Sequence, residues 1–209
     1  MKKAWLTIVF LGCLTVANAS IVDCTTVLGT NVLSIGSCSL GGLLFDQFVE
    51  NSTPAGSTIF LSALGTGVVG SSVNLGFQIT TAAPPSDTVF QYHVSTLSGA
   101  TDIIGVDNFH NGSGGVRIGE VVCAKSFVLG GICPAGSVLA NFADPPDTVA
   151  SFAAQSQIFI LKDISLPTSS SFMSSFVNSV EVPEPATSLL AALGLFGIAG
   201  IFRILSRRN

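Results

Sequence analysis

Val73-Asn74-Leu75-Gly76-Phe77-Gln78-Ile79-Thr80 alternates without a break. Valine, leucine, phenylalanine and isoleucine hold one parity, and polar or small residues hold the other. Successive side chains of a strand point to opposite faces, so this octet reads as a strand with one buried face. Its neighbours read alike. Phe90, Tyr92 and Val94 share a face, with Gln91 and His93 between them. Val116 and Ile118 alternate with Arg117 and Gly119. Gln157-Ile158-Phe159-Ile160-Leu161 is more uniformly apolar, the pattern of a strand covered on both faces. Further strand candidates are Gly42–Val49, Ser57–Ala63, Asp102–Phe109, Ser137–Phe142 and Phe172–Asn178. Between them lie turn clusters at 51–56, 84–87, 111–115 and 144–147, rich in Asn, Pro, Gly and Asp. Helix formers are sparse, and Thr148–Gln155 is the one stretch where a turn or two of helix is expected. No internal repeat is visible, which argues against solenoids and propellers. The expected fold class is all-β, an antiparallel two-sheet β-sandwich, with a jelly-roll-like path as one form of it.

The ends have a different grammar. The chain of 209 residues is 48% hydrophobic and only 10% charged, against roughly a quarter charged in an ordinary soluble domain. Met1-Lys2-Lys3 is a basic start, Ala4 to Val16 is an apolar run, and Ala17-Asn18-Ala19 places small residues where signal peptidase reads. Residues 1–19 are therefore expected to be a signal peptide cleaved before Ser20, engaging the secretion machinery and signal peptidase. Cys13 and Trp5 would leave with it.

At the other end Val182-Pro183-Glu184-Pro185 leads into an apolar stretch and then Arg203, Arg207 and Arg208. Residues 186–205 are about the 20 needed for a transmembrane helix, and the arginines would fix its end in the cytoplasm. Pro183 and Pro185 hold the preceding segment extended. The V-P-E-P motif, one apolar helix and a basic tail resemble the PEP-CTERM sorting signal of Gram-negative bacteria. The resemblance covers about residues 181–208. It implies that an exosortase-type transpeptidase recognises Val182, Pro183, Glu184 and Pro185, with Arg207 and Arg208 as the stop. It also implies an inner-membrane-anchored precursor, delivered to the envelope, the surface or an exopolysaccharide matrix. The expected organisation is 1–19 signal peptide, 20–181 secreted sandwich and 182–209 sorting signal.

Roughly 160 residues of body suffice for one hydrophobic core. Eleven of the 12 acidic residues lie in it, but only Arg117, Lys125 and Lys162 of the 8 basic ones. Such an acidic surface repels nucleic acid and anionic lipid. Four body cysteines in an exported domain read as disulfides, and four allow three pairings. The most local choice, Cys24–Cys38 with Cys123–Cys133, closes two small glycine-containing loops and is the expected one. No cysteine or histidine spacing resembles a metal site, and neither a metal nor a cofactor is expected.

Candidate chemistry in the body is thin. Asp107, His110 and Asn111 lie in a polar, glycine-rich segment, a candidate ligand loop that also reads as ordinary turn chemistry. Its spacing is not that of an EF-hand, because Phe109 sits where an oxygen ligand belongs. His93 opposes the Phe90/Tyr92/Val94 face and reads as a surface or inter-strand residue. No G-x-S-x-G, H-E-x-x-H or P-loop occurs. Glu50, Glu120 and Glu181 are the carboxylates available for glycoside hydrolysis, with Glu120 able to serve as acid or base if it faced a concave sheet. Without Trp5 the body has one tyrosine and no tryptophan, a poor platform for stacking sugars. The expected function is a non-catalytic structural or interaction sandwich, exported and sorted by an exosortase. A calcium-dependent or carbohydrate-binding module and a polysaccharide-acting enzyme stand as alternatives.

Overall fold

A computed structural model describes residues 21–80, 84–97, 102–143 and 148–183. Among the described residues eleven strands form two antiparallel sheets. They are β1 Ser37–Leu40, β2 Leu43–Thr53, β3 Thr58–Val69, β4 Ser72–Thr80, β5 Ser86–Thr96, β6 Ile103–Ser113, β7 Arg117–Cys123, β8 Val138–Ala143, β9 Thr148–Gln155, β10 Gln157–Leu166 and β11 Phe172–Glu181. One sheet has six strands in the order β1-β2-β5-β10-β7-β8, and the other has five in the order β3-β4-β11-β6-β9. A 3-10 turn at Cys24–Thr26 and a single helical turn, Val32–Ile35, precede the first strand.

The sheets stack with their apolar parities facing each other. Val73, Leu75, Phe77 and Ile79 are all buried, as their alternation requires. Gly76, on the opposite parity, is needed because β3 bulges over it. A Cβ there would lie 2.0 Å from the Leu64 carbonyl oxygen. Thr66 Oγ1, carried by that bulge, accepts the Gly76 N–H at 3.0 Å. From the other sheet Phe90 and Tyr92 meet Phe77 and Phe176 in one aromatic cluster, with ring centroids 4.9 to 5.5 Å apart from Phe77. Offset and edge contacts of this kind strengthen a core beyond the area they bury.

Two expectations change. Thr148–Gln155 is strand β9, not helix, and pairs along the edge of β6. Its Ala150 and Phe152 alternate toward the core, so tertiary pairing overrides the weak helical propensity of the alanines. The strand expected to end at Phe109 continues to Ser113, because β11 supplies backbone partners as far as Phe172. The doubly covered reading of residues 157–161 has a definite cause. Ile158 and Ile160 face the core, while Leu161 on the outer face is covered by Gly131 of the loop after β7. Cys123–Cys133 clamps that loop, and Cys24–Cys38 ties the 3-10 turn to β1.

Candidate functional site

The outer face of the six-stranded sheet carries a pocket of about 160 Å³ lined by Gln47, Val49, Gln91, His93, Phe127 and Phe159, among others. His93 is one of its lining residues and is 7% exposed. The histidine points outward from β5 because Tyr92 and Val94 take the inward parity. Its Nδ1 donates to Asp46 Oδ1 at 2.6 Å, and Nε2 lies 3.2 Å from Gln157 Oε1. The Phe159 ring stacks on the imidazole with centroids 4.5 Å apart. A regular strand would send Asp46 and Gln47 to opposite faces. Here the β2 register shifts between Asp46 and Val49, and Gln47 holds φ at 54°, in the left-handed region. The bulge turns Phe48 inward onto Phe90 and lets the Gln47 amide approach within 3.5 Å of His93 Nδ1. A non-glycine residue held in that conformation is a strained position, of the sort that clusters at binding sites.

A second polar group lies between the sheets. Lys162 from β10 and Glu120 from β7 are register partners and both are fully buried. Lys162 Nζ donates to Glu120 Oε2, and to Asn108 Oδ1 on β6 at 2.7 Å. Asn178 on β11 donates from Nδ2 to Glu120 Oε1 and to the Asp107 carbonyl, each at 3.2 Å. The Phe176 ring centroid is 5.4 Å from Nζ. Burial pulls the Lys162 ammonium below its ordinary pKa, an effect that the Glu120 carboxylate opposes. The Tyr92 hydroxyl, pushed well above its usual range by burial and by Glu120, makes no hydrogen bond among the described residues.

The residues singled out by sequence fall in different places. Asp107, His110 and Asn111 lie within β6, opposite Ser179, Phe176 and Ser175 of β11. The strand's period of two puts His110 on the face opposite to Asp107 and Asn111. Among the described residues no group of three or more His, Cys, Asp or Glu side chains is arranged to hold a metal. Glu120 faces the sealed interior and not a concave outer surface. Glu50 accepts the Ile59 N–H at 3.3 Å, and burial holds its carboxyl above the usual range. Glu181 takes the hydroxyls of Ser71 and Ser72 at 3.3 and 2.7 Å. Cys24, Cys38, Cys123 and Cys133 pair in the expected local pattern.

The sorting motif begins inside the fold. Val182 is buried, and its N–H donates to the Ser71 carbonyl at 2.9 Å. Pro183 is the last described residue. Ala17, Ala19, Ser20, Glu184, Pro185, Arg207, Arg208 and residues 186–205 lie outside the described residues, so the signal cleavage site and the expected transmembrane helix are not placed. Among the described residues no helix is long and apolar enough to cross a membrane. Asp46, Gln47, Gln157, Asn108, Asn178 and Lys162 were not marked by sequence. Inward parity was a visible signal for the last three.

A solved structure described as TmCBM61 in complex with beta-1,4-galactotriose is similar over 75% of this chain and 94% of that one, at 10% identity and a TM-score of 0.32. No curated protein matches the chain. Residues 181–208 match the PEP-CTERM protein-sorting motif. That match indicates an exported, membrane-associated chain carrying an exosortase sorting signal at residues 181–208.

Proposed function

We propose that the protein is deployed at the cell surface or in the extracellular matrix as a non-catalytic sandwich that works by contact, and that the His93 pocket is its saccharide-binding face. The observation that carries this reading is the β2 bulge. It brings Asp46 and Gln47 together on His93, beside the Phe159 ring and the Gln91 amide. Sugar rings offer apolar C–H faces to an aromatic ring, and their hydroxyls pair with amides, carboxylates and imidazole. The acidic body favours a neutral glycan over an anionic one. The non-catalytic reading draws support from the glutamates, since Glu120, Glu50 and Glu181 each hold structural partners.

The test is calorimetric titration with a panel of neutral oligosaccharides and their uronic-acid counterparts. Saturable binding to a neutral member is expected. It should weaken about tenfold, roughly 1.4 kcal/mol, in Phe159→Ala and in Gln47→Gly, which keeps the backbone conformation and removes the amide. Absence of binding across the panel, or binding indifferent to both changes, would overturn it. Processing has a separate readout. Mass spectrometry of the surface form should find a new C-terminus near Val182–Pro185, and a form that retains residues 186–205 would refute cleavage.

A further inference from the structure

We propose that Lys162 and Asn108 become joined by an amide bond that the folded protein makes by itself, with Glu120 carrying the proton. The reacting groups come from three strands in both sheets, and no external group reaches them. Lys162 Nζ lies 2.7 Å from Asn108 Oδ1. The carboxamide carbon is one C=O bond further at most, so it lies within about 3.9 Å of the amine, close to a near-attack distance. Glu120 Oε2 touches the same nitrogen, and the hydrogen bond from Asn178 occupies its other oxygen. Desolvation favours the neutral amine that attack requires.

The step balances without a co-reactant. A proton passes from the Nζ ammonium to Glu120, and the freed lone pair attacks Cγ of Asn108. Glu120 delivers its proton to Nδ2 and takes a second one from Nζ. The Cγ–Nδ2 bond breaks, ammonia leaves, and a secondary amide remains between Cγ and Nζ. Nothing is oxidised or reduced. The site excludes water: Lys162, Glu120 and Asn178 are 0% exposed and Asn108 is 2% exposed. The product is therefore shielded from hydrolysis. The bond would fasten the six-stranded sheet to the five-stranded one through its centre. An unlinked buried ion pair explains the geometry less well, because two desolvated charges rarely stabilise more than apolar side chains of the same volume.

The experiment is intact-mass and peptide-mapping spectrometry of the exported chain. Its mass should fall about 17 Da, one ammonia, below the value for its observed termini and two disulfides. A digest should yield a branched peptide joining residue 162 to residue 108. Asn108→Ala and Glu120→Ala should restore the full mass, whereas Asn108→Asp should still link, losing water, about 18 Da. Folded wild-type protein at full mass would overturn the proposal. So would a deficit without a branched peptide, the mark of an asparagine succinimide, and so would a link from Lys162 to Asn178.

Discussion

Replacing Lys162 with Met and Glu120 with Gln together removes both charges at nearly constant volume, and the new amide still offers an acceptor to Asn178. Two physical accounts of the site predict opposite signs. If the buried pair is only an ion pair, its removal is neutral or stabilises the fold by about 1–4 kcal/mol, because two desolvation penalties vanish. If the pair is the precursor of a covalent tie, the double variant loses that tie. The tie spans 54 residues of sequence. Closing such a loop removes unfolded-chain entropy worth about 4 kcal/mol at 25 °C. A body of this size shifts by about 2–4 °C per kcal/mol, so the variant should melt on the order of 8–16 °C lower. Calorimetric melts at neutral pH, with disulfides intact and both masses recorded, read the difference. A melting temperature that stays level or rises refutes the reasoning.

Three further outcomes follow from the packing and charge. Burial and the neighbouring Asp87 carboxyl hold Asp163 above the ordinary carboxylate range. An acid raised on folding penalises the fold when ionised, so that penalty fades as pH falls through its folded value and is gone below about pH 4. Glu50, raised by burial, acts with the same sign. Melting temperature should therefore climb as pH falls from neutral through the folded values, and Asp163→Asn should flatten the climb; a slope unchanged by the substitution would refute this. Replacing either cysteine pair by alanine, at sequence separations of 14 and 10, should cost about 3 kcal/mol, read from the urea midpoint. Phe77→Ala should cost about 3–5 kcal/mol, since Phe77 is fully buried against Phe90, Tyr92 and Phe176, whereas Val69→Ser, 69% exposed on a hairpin, should change little.

The fold was legible wherever one face of a strand is buried and the other is wet. Residues 73–80 show this directly, while the turn clusters at 51–56 and 84–87 are only partly turns, since β2 runs on to Thr53 and β5 begins at Ser86. Legibility failed where neighbours decide. Thr148–Gln155 holds alanines and a single phenylalanine, and only the free edge of β6 makes it a strand. The short strand β1 carries no long strand pattern in Ser37-Cys38-Ser39-Leu40, and its order derives from β2 and the Cys24–Cys38 bridge. The β2 bulge has no local signature either. Leu43 and Phe45 hold one parity and Phe48 the other, a break that the bare sequence shows only as irregularity. Because that bulge assembles the His93 pocket, the pocket's acidic and amide partners were invisible even though the outward direction of His93 itself was not.

The buried cluster is a sharper case. Ile158, Ile160, Ile164 and Leu166 share the parity of Lys162. Ile118 and Val122 flank Glu120, Phe176 and Val180 flank Asn178, and Val106 precedes Asn108 on its own face. Each polar residue, read singly, breaks an apolar row and would cost several kcal/mol if left unpaired in the core. Four such breaks in one small sandwich are incompatible with a stable fold unless they meet. The interruption was thus visible strand by strand. What was missing was the register that sets Lys162 against Glu120 and Asn178 against Asn108, and the stacking that brings the two pairs face to face. Both are properties of the whole sandwich. A lone lysine on a buried parity, in a body with only two other basic residues, is therefore better read as a demand for a specific partner across the core than as an error in the strand assignment.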